Sequence, residues 1–546
     1  MASSARFFPL LLLLAFASAP ALATAATPGD YAATVPQRSD VRDLGRAPAA
    51  TTVELAVALK YRNENQLTQL VELQAMPGSA AYHHFLSNAQ FNASFAPSSA
   101  AYGRTIATLV RAGFHIDQTF PNRTIVDVSA PAPTVERYFQ TTIDRVAQRG
   151  HGLAYSNVRP ALMPAALRGD VDMIGGFDDL IVAEPQNVRG KQTIGDALVS
   201  PAIIGGPLRG PHGGFGPLAI AQGYDFPVQH GNDGLGRATG NSICADFHDT
   251  DLAAFLAYFN VTRTGPATTR VPVDGGAGFN GCSIEATLDV ETIVGSAPGT
   301  AFYEYTIPTL SGKHIFDDYN KVVSDNLVDV LNSSYGGCEV GGNFAKYTNH
   351  LAKQGAAKGI TFSASSGDSG SSECGAGNGV SAPASGTYFV AVGGTYLQVD
   401  ANGNYVSETA WNGSGGGFSV IFPEPAFQKS ISGPLTSGRN VPDVALLGSP
   451  ASGLAVYQNG NWIGSVGGTS LSSPAYCALQ TEINEIHSAR AGHADVAIYR
   501  AFKGQGYSLF HDITSGSNGL YPAGPGYDDV TGIGSPQGEA LSGYIK

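Results

Sequence analysis

The chain is poor in basic residues. Its 546 residues include 31 Lys and Arg against 44 Asp and Glu, so the net charge is −13. A protein that binds nucleic acid needs a basic surface to meet the phosphates, so this composition argues against that class. Few lysines and many carboxylates suit an acidic medium, although exported proteins of neutral media also have low isoelectric points. We therefore expect no nucleic-acid partner.

Long apolar runs are absent after the first 25 residues. Residues 1–25 combine Arg6, an apolar stretch at 7–16 and small residues at 21–25, which is typical of an export signal. No later stretch approaches the ~20 residues that a membrane helix needs. We expect a secreted protein that does not bind a membrane.

Cysteine is also scarce, with five residues and no Cys-x-x-Cys spacing. A zinc or redox site is therefore not expected. In an oxidising compartment we expect bridges between Cys244 and Cys282 and between Cys338 and Cys374. Cys477 would then be a buried free thiol on a helix, although spacing alone leaves other pairings open.

The length implies two folded units, because typical domains have about 100–200 residues. Within residues 26–182, alternating strands and amphipathic helices predict a small α+β sandwich. Residues 183–216 are rich in Gly and Pro, which is typical of a protease-accessible linker or of a surface loop. Residues 217–546 alternate apolar strands with helices and predict a doubly wound, mostly parallel sheet.

Individual elements can be predicted from periodicity. In the first unit we expect strands at residues 53–59 and 122–129 and helices at 63–74, 100–112 and 134–143. In the second unit we expect strands at 240–245, 301–305, 328–331, 360–364 and 388–392, and helices at 252–259, 285–294, 313–324 and 345–357. Asn459-Gly460 predicts a hairpin turn.

Residues 467–474, Gly-Gly-Thr-Ser-Leu-Ser-Ser-Pro, match the nucleophile turn of subtilisins, with Ser470 as the candidate nucleophile. The glycines allow a tight turn, and Pro474 suits the first turn of a following helix. A serine hydroxyl is a poor nucleophile until a base takes its proton. Without a base, the same residues describe an ordinary helix cap.

None of the twelve histidines stands in the sequence context of a subtilisin base. His212 and His230 are each followed by Gly, but neither continues into the helix that seats the base in those enzymes. Glu285 and Asp289 offer an alternative, because side chains at i and i+4 lie on one face of a helix. Two adjacent acids tend to share a proton, so Glu285 could act as the base and Asp289 could orient it. An isolated pair of this kind is more often a solvated helix face.

Asp368, in Ser-Gly-Asp-Ser-Gly, follows the strand expected at residues 360–364. Active sites of α/β proteins gather at such strand ends. A protonated acid there could donate a hydrogen bond to the oxyanion of a tetrahedral intermediate. The same five residues are otherwise a turn sequence.

Together, these three segments and their order resemble the sedolisin family of serine-carboxyl peptidases. Residues 408–412, Glu-Thr-Ala-Trp-Asn, and 414–419, Ser-Gly-Gly-Gly-Phe-Ser, extend the resemblance. It implies a subtilisin-like catalytic domain at 217–546, an inhibitory, ferredoxin-like prodomain at 26–182, and processing within 183–216. The catalytic residues that it implies are Glu285, Asp289, Asp368 and Ser470.

Two positions depart from the family pattern. Tyr335 stands where several relatives carry Trp, and the acid that supports the catalytic Glu has no clear match. Asp246 is a weak candidate for that acid. These departures affect subsite preference and tuning rather than the mechanism.

The C-terminal residues 511–516 and 523–528 are rich in Gly and Asp. Hard cations take oxygen ligands, and glycine-rich loops let carbonyls converge, although a plain turn region has the same composition. The resemblance implies one structural calcium ion here. Its expected ligands are the carboxylates of Asp512 and Asp528 and the carbonyls of Ile513, Gly524 and Gly526.

We therefore expect a secreted, self-processing and acid-active endopeptidase that hydrolyses proteins and peptides through an acyl-enzyme on Ser470. Its own prodomain would be an intramolecular inhibitor, and the enzyme would be a monomer. The alternatives are a tripeptidyl-peptidase of the same family, a His-dependent subtilisin-type protease, and a non-catalytic exported binding protein.

Overall fold

The computed structural model describes residues 31–190, 206–340, 343–375, 379–429, 431 and 438–545. The expected export signal at 1–25 lies outside these residues, as does part of the predicted linker. Two domains are joined by a connecting segment, which we define as residues 184–189. None of the helices in the described ranges is long and apolar enough to cross a membrane.

The N-terminal domain is built on a four-stranded antiparallel sheet in the order β9-β3-β5-β4. Its strands are β1 (Tyr31–Ala33), β2 (Val41–Arg46), β3 (Thr52–Leu59), β4 (His115–Thr119), β5 (Ile125–Pro131), β6 (Ile143–Gln148), β7 (Gly152–Asn157), β8 (Ala161–Leu162) and β9 (Val171–Gly175). Its helices are α1 (Glu64–Gln74), α2 (Asn88–Ser94), α3 (Ser99–Ala112) and α4 (Ala132–Phe139). The order of strands and helices is that of a ferredoxin-like sandwich, as expected.

Local signals explain the longest helix of this domain. The Ser98 side chain accepts a hydrogen bond from the Ala101 amide and caps α3, and Gly113 ends it in the left-handed conformation. Leu109 is buried in a cluster with Val57 and Val128 of the sheet. The periodicity that predicted the helix is thus the periodicity of its buried face.

The connecting segment forms two short strands, β10 (Glu184–Pro185) and β11 (Val188–Arg189). Both pair antiparallel with strands of the C-terminal domain. Residues 184–189 of the predicted linker are therefore held by strand pairing with the larger domain rather than free.

The C-terminal domain has a central eight-stranded sheet in the order β13-β14-β12-β15-β17-β19-β20, with β23 also paired to β19. Its strands are β12 (Ala238–Ile243), β13 (Thr269–Pro272), β14 (Ala301–Thr306), β15 (Val330–Ser333), β16 (Tyr335–Cys338), β17 (Thr361–Ser365), β18 (Ser381–Ala382), β19 (Phe389–Val399), β20 (Tyr405–Ala410), β21 (Gly417–Pro423), β22 (Gly438–Val441), β23 (Val444–Leu447), β24 (Leu454–Gln458), β25 (Asn461–Gly467), β26 (Phe510–His511) and β27 (Ser535–Pro536).

The helices of this domain cover the sheet. They are α5 (Pro217–Gly223), α6 (Asp249–Tyr258), α7 (Ser283–Ser296), α8 (Gly312–Asp325), α9 (Phe344–Ala357), α10 (Thr469–Ile486), α11 (Ala494–Gln505) and α12 (Gly538–Tyr544). All pairs in the central sheet are parallel except β19 with β20. The expected doubly wound, mostly parallel architecture is confirmed, and α7 and α10 lie side by side against the sheet.

The elements expected from periodicity are present, with boundaries shifted by a few residues. Asn459 and Gly460 both have positive φ, at 52° and 75°, and join β24 to β25 as a hairpin. Pro474 is not in the first turn, because α10 already begins at Thr469. Proline leaves the Ser470 carbonyl without its helical donor, and the Ser334 hydroxyl lies 3.4 Å from that oxygen.

Both expected disulfides are present, between Cys244 and Cys282 and between Cys338 and Cys374. Cys477 is a buried free thiol on α10. The spacing of the cysteines alone could not predict that the two segments joined by each bridge lie close together.

The N-terminal domain packs against α8 and α9 of the larger domain. Tyr61 stacks on His350 with ring centroids 3.9 Å apart, and the Tyr347 hydroxyl donates to the carbonyl of Ala56. These contacts position the smaller domain so that the connecting segment enters the cleft of the larger one.

Candidate active site

Ser470 is the second residue of α10 and is fully buried. It follows Gly468, whose φ of 110° requires glycine and turns the chain from β25 into the helix. The Ser470 hydroxyl donates to the Ser334 carbonyl over 3.0 Å and lies close enough to Glu285 to lower the pKa of that carboxyl. The structure thus brings the predicted nucleophile and the predicted base together.

Glu285 and Asp289 lie one turn apart on α7 and are both fully buried. Burial raises the pKa of Glu285 well above its usual value, and the neighbouring Asp289 charge adds to this effect. Burial also raises the pKa of Asp289 to about 8. Each carboxyl keeps one oxygen without a hydrogen-bond partner in the described residues, as expected of two acids that share a proton.

Asp289 is held by neutral polar groups. The Ser334 hydroxyl donates to it over 2.6 Å, and the nearby side-chain amides of Asn241 and Asn332 oppose the rise of its pKa. None of these three residues was predicted from the sequence. The only signal of Asn332 and Ser334 is a run of polar residues, Asn-Ser-Ser, at the end of an apolar strand.

Asp368 follows β17 and accepts hydrogen bonds from the Thr469 amide over 2.7 Å and from the Thr469 hydroxyl over 3.0 Å. Burial raises the pKa of Asp368 to about 8, and the two Thr469 hydrogen bonds oppose this shift. Its second oxygen has no hydrogen-bond partner among the described residues. A Cβ added to Gly468 would lie 2.6 Å from that oxygen, so Asp368 borders the Ser470 turn.

The connecting segment passes through this site in an extended conformation. The Ser470 amide donates to the Gln186 carbonyl over 3.0 Å, and the Gln186 amide donates to the Ser334 carbonyl over 3.2 Å. The next residue, Asn187, donates its side-chain amide to Glu285 over 2.5 Å. The peptide bond between Gln186 and Asn187 therefore lies beside the nucleophile and the base.

The segment continues on both sides of that bond. Pro185 pairs with Tyr335 of β16, and Val188 pairs with Gly467 of β25. Upstream of the bond, the segment borders a cavity of about 550 Å³ whose walls come from both domains.

No histidine is among the hydrogen-bond partners of Ser470, Glu285 or Asp289 in the described residues. Asp246 does not reach the pair, because it forms an ion pair with Arg270 over 2.9 Å. The buried acid next to Asp289 is Glu304, whose only sequence signal is a charged residue within an apolar strand.

The C-terminal loop places Gly526 beside Asp512 and Gly524 beside Asp528. The Gly526 amide donates to Asp512, and the Gly524 amide donates to Asp528. Within the described residues, the carbonyl oxygens of Ile513, Gly524 and Gly526 accept no hydrogen bond. No basic side chain is among the groups that act on the buried Asp528 carboxyl. Two carboxylates and three available carbonyls fit a hard cation.

The fold and the site define a class: a serine peptidase with carboxyl partners in place of histidine, preceded by a second domain. Residues 39–180 match the model of the Pro-kumamolisin activation domain. Sedolisin of Pseudomonas sp. (strain 101) is 30% identical, over 97% of this chain and 94% of that protein. The solved structure of Pseudomonas sedolisin, a serine-carboxyl proteinase complexed with two molecules of pseudo-iodotyrostatin, superposes with a TM-score of 0.55. It shares 30% identity and covers 61% of this chain and 98% of that one.

Other relatives are similar over almost the same length. Kumamolisin of Bacillus sp. (strain MN-32) is 29% identical, over 91% of this chain and 92% of that protein. Human tripeptidyl-peptidase 1 is 28% identical, with the same coverage of both chains. The chain belongs to the sedolisin family and is a serine-carboxyl peptidase with a propeptide.

Proposed function

We propose that this protein is a secreted, self-processing endopeptidase that works in acid, with Ser470 as nucleophile and Glu285 as general base. The observation that carries the proposal is the position of the connecting segment. Its Gln186 carbonyl accepts a hydrogen bond from the Ser470 amide, while Asn187 contacts Glu285. The chain thus presents one of its own peptide bonds to the site as a substrate would.

In the proposed reaction, Glu285 takes the proton of Ser470 as the oxygen attacks the substrate carbonyl. Asp289 holds Glu285 through the proton that the two acids share. The oxyanion is stabilised by the Ser470 amide and by protonated Asp368. Glu285 then returns its proton to the leaving amine, and water resolves the acyl-enzyme by the same steps.

The raised pKa values favour activity in acid. Protonated Asp368 is a donor below about pH 8, and burial favours the protonated forms of Glu285 and Asp289. The two disulfide bridges and the predicted export signal support secretion. We propose that the enzyme is a monomer and takes proteins and peptides as substrates.

We propose endopeptidase rather than tripeptidyl-peptidase activity. The connecting segment runs through the cleft without interruption and pairs with the larger domain on both sides of the Gln186–Asn187 bond. A tripeptidyl-peptidase must instead recognise a substrate N-terminus close to the cleaved bond. Digestion of a long unstructured protein, followed by mass spectrometry, should yield internal fragments of varied length rather than successive tripeptides.

We further propose that the N-terminal domain is an intramolecular inhibitor and that the first self-cleavage is at Gln186–Asn187. Incubation of the proform at pH 4, with mass spectrometry of the earliest product, tests this directly. A new N-terminus at Asn187 supports the proposal, and a first cut elsewhere overturns that assignment. Ser470→Ala should remain uncleaved.

The role of the base is tested with matched isosteres. Glu285→Gln should reduce kcat/KM by about 10²–10⁴ while leaving a folded proform, because general-base catalysis is worth that much. His212→Ala and His230→Ala should be nearly as active as the parent. Inactive histidine variants together with an active Glu285→Gln would favour a His-dependent protease. Full digestion by Ser470→Ala would exclude serine catalysis.

The glycine-rich loop of the C-terminal domain is proposed to hold one structural Ca²⁺ through Asp512, Ile513, Gly524, Gly526 and Asp528. When bound, this ion would supply positive charge and tie the loop together, and it lies outside the reaction itself. The free carbonyls described above support this assignment.

A further inference from the structure

A row of polar side chains crosses the central sheet beneath the catalytic pair. Glu304 of β14 lies opposite Asn241 of β12, Asn241 lies opposite Asn332 of β15, and Asn332 lies opposite Ser363 of β17. All four residues are fully buried. Parallel strands that are covered on both faces are normally apolar, so a row of four polar residues in register needs an explanation beyond packing.

The row is continuous and ends on a carboxyl group. Asn332 donates to the Asn241 carbonyl oxygen over 2.9 Å, and Asn241 donates to Glu304 over 3.1 Å. Asn332 also donates to the Ser334 hydroxyl over 2.8 Å, and that hydroxyl donates to Asp289 over 2.6 Å. Because a side-chain amide carries two N–H donors, Asn332 can hold Ser334 and Asn241 at once, so a chain of hydrogen bonds connects Asp289 with Glu304.

The protonation of Glu304 depends on the charge of the catalytic pair. Burial raises its pKa well above the usual value, and the Asp289 charge raises it further, whereas the Asn241 hydrogen bond lowers it. Two other charged groups face it: Arg270 lowers its pKa, and Asp246, the partner of Arg270, raises it. One Glu304 oxygen has no hydrogen-bond partner in the described residues. Because the Asp289 charge acts on Glu304, the proton on one acid depends on the charge of the other.

We propose that Glu304 is a positioning residue that acts on the catalytic pair through Asn241. This inference rests on the function proposed above. When Glu304 loses its proton, the negative charge behind Asp289 helps the pair to keep its shared proton. Glu285 then stays correctly oriented up to a higher pH. Glu304 touches no part of the connecting segment, so it acts on the catalytic step rather than on substrate binding.

Glu304→Gln isolates this role, because Gln keeps the size and the acceptor for Asn241 but cannot ionise. We expect the alkaline limb of the pH profile of kcat/KM to move to lower pH by about 0.5–1 unit, since one neighbouring charge shifts a pKa by that order. KM should be unchanged. The substrate is a quenched fluorescent peptide of the chain's own residues 182–190. An unshifted profile overturns the proposal.

Glu291→Gln is the matched control. Glu291 is equally buried and lies on α7, but it accepts from the Tyr457 amide on the far side of the helix from the row. Its profile should coincide with that of the parent. The same shift in both variants would mean that any buried glutamine perturbs the domain, and would overturn the proposal.

Two further variants keep the test decisive if Glu304→Gln does not fold. Asn241→Leu cuts the chain of hydrogen bonds and leaves Glu304 in place, and it should shift the alkaline limb in the same direction. Glu304→Asp retains the acid and should restore the profile at least in part. A parental profile in Asn241→Leu, or no recovery in Glu304→Asp, overturns the proposal. Repeating the comparison in the Asp368→Asn background removes the titration of Asp368.

Failure of this inference can be told from failure of the proposed function. Ser470→Ala and Glu285→Gln are measured alongside. If Ser470→Ala retains activity, the proposed function is wrong. If both of these variants are inactive while Glu304→Gln has the parental profile, only the role of Glu304 is wrong.

Discussion

Asn187 donates its side-chain amide to Glu285 over 2.5 Å, so a residue of the connecting segment engages the proposed base. This contact opposes the rise in the pKa of Glu285 that burial causes. It also places the residue after the Gln186 carbonyl directly against the base, where a leaving amine would be. This one contact fits both the proposed inhibition and the proposed self-cleavage.

The first prediction concerns Asp368 and the alkaline limit of activity. Burial raises the pKa of Asp368 to about 8, so its carboxyl is protonated and able to donate below that pH and loses its proton above it. Activity should therefore fall as the pH rises through about 8. Below that pH, Asp368→Ala should lower kcat by about 10²–10³, as loss of an oxyanion donor does.

Asp368→Asn separates donation from titration. The amide can donate at any pH, so this variant should retain a larger fraction of its own maximal activity at pH 9 than the parent does. The measurement is kcat/KM from pH 4 to pH 9. An identical decline in the variant and the parent would show that another group sets the alkaline limit.

A second prediction concerns Gly468. A Cβ at this position would lie 2.2 Å from the Gln186 carbonyl oxygen and 2.6 Å from Asp368, and the φ of 110° is unfavourable for any other residue. Gly468→Ala should therefore slow self-processing at pH 4 by at least about 10²-fold, because small displacements of reacting groups have effects of this order. Processing is followed on denaturing gels.

Gly460→Ala is the control for backbone strain alone. Gly460 also has a positive φ, of 75°, but a Cβ there would meet nothing within 4 Å. This variant should lose about 1 kcal/mol of stability and process normally. If Gly468→Ala processed at the parental rate, the geometry around Gln186 would not describe a reactive arrangement.

The third prediction concerns His350, which is buried against Tyr61 at the interface between the domains. Burial lowers its pKa, as does Lys353, while Asp172 and Glu64 oppose this shift. The unfolded or undocked chain therefore binds a proton more readily, so stability is lost as the pH falls below about 6.5. Acid should loosen the contact between the domains.

His350→Phe keeps the stacked ring and cannot be protonated. The comparison is made in the Ser470→Ala proform, which we expect to remain uncleaved. Between pH 7 and pH 5, the melting temperature of the His350→Phe protein should fall by about 2 °C less than that of the protein with His350. His230→Phe, at a side chain exposed on the surface, should leave the fall unchanged. If the melting temperature fell equally with and without His350→Phe, protonation of His350 would not contribute to the loss of stability in acid.

The fourth prediction concerns the C-terminal loop. If Ca²⁺ binds there, saturating ion at 100 times its dissociation constant should stabilise the protein by about 2.7 kcal/mol over protein in EGTA. Asp528→Asn should abolish most of this gain in melting temperature. Mg²⁺ should stabilise less, because it prefers strict octahedral geometry and retains its water. Equal melting temperatures of the parent in EGTA and in Ca²⁺ would contradict the site.

Much of the architecture could be predicted from local signals. Amphipathic spacing predicted helices such as α3 and α7, and Asn459-Gly460 predicted the hairpin before Ser470, because both depend on neighbours a few residues apart. Spacing also placed Glu285 and Asp289 on one face of a helix. The sequence could not predict whether this pair is solvated or buried, because burial depends on what packs against that face of the helix.

The sequence by itself determined the order of the elements, the serine turn and the acid pair, because these follow from short-range geometry. Only the tertiary structure decided which residues surround them. The sequence predicted a linker at Gln186 and Asn187, yet pairing of the strands on either side places them beside Ser470. Glu304 lies opposite Asn241 because parallel strands distant in sequence align in register, and a pairing of that kind leaves no mark on either strand alone.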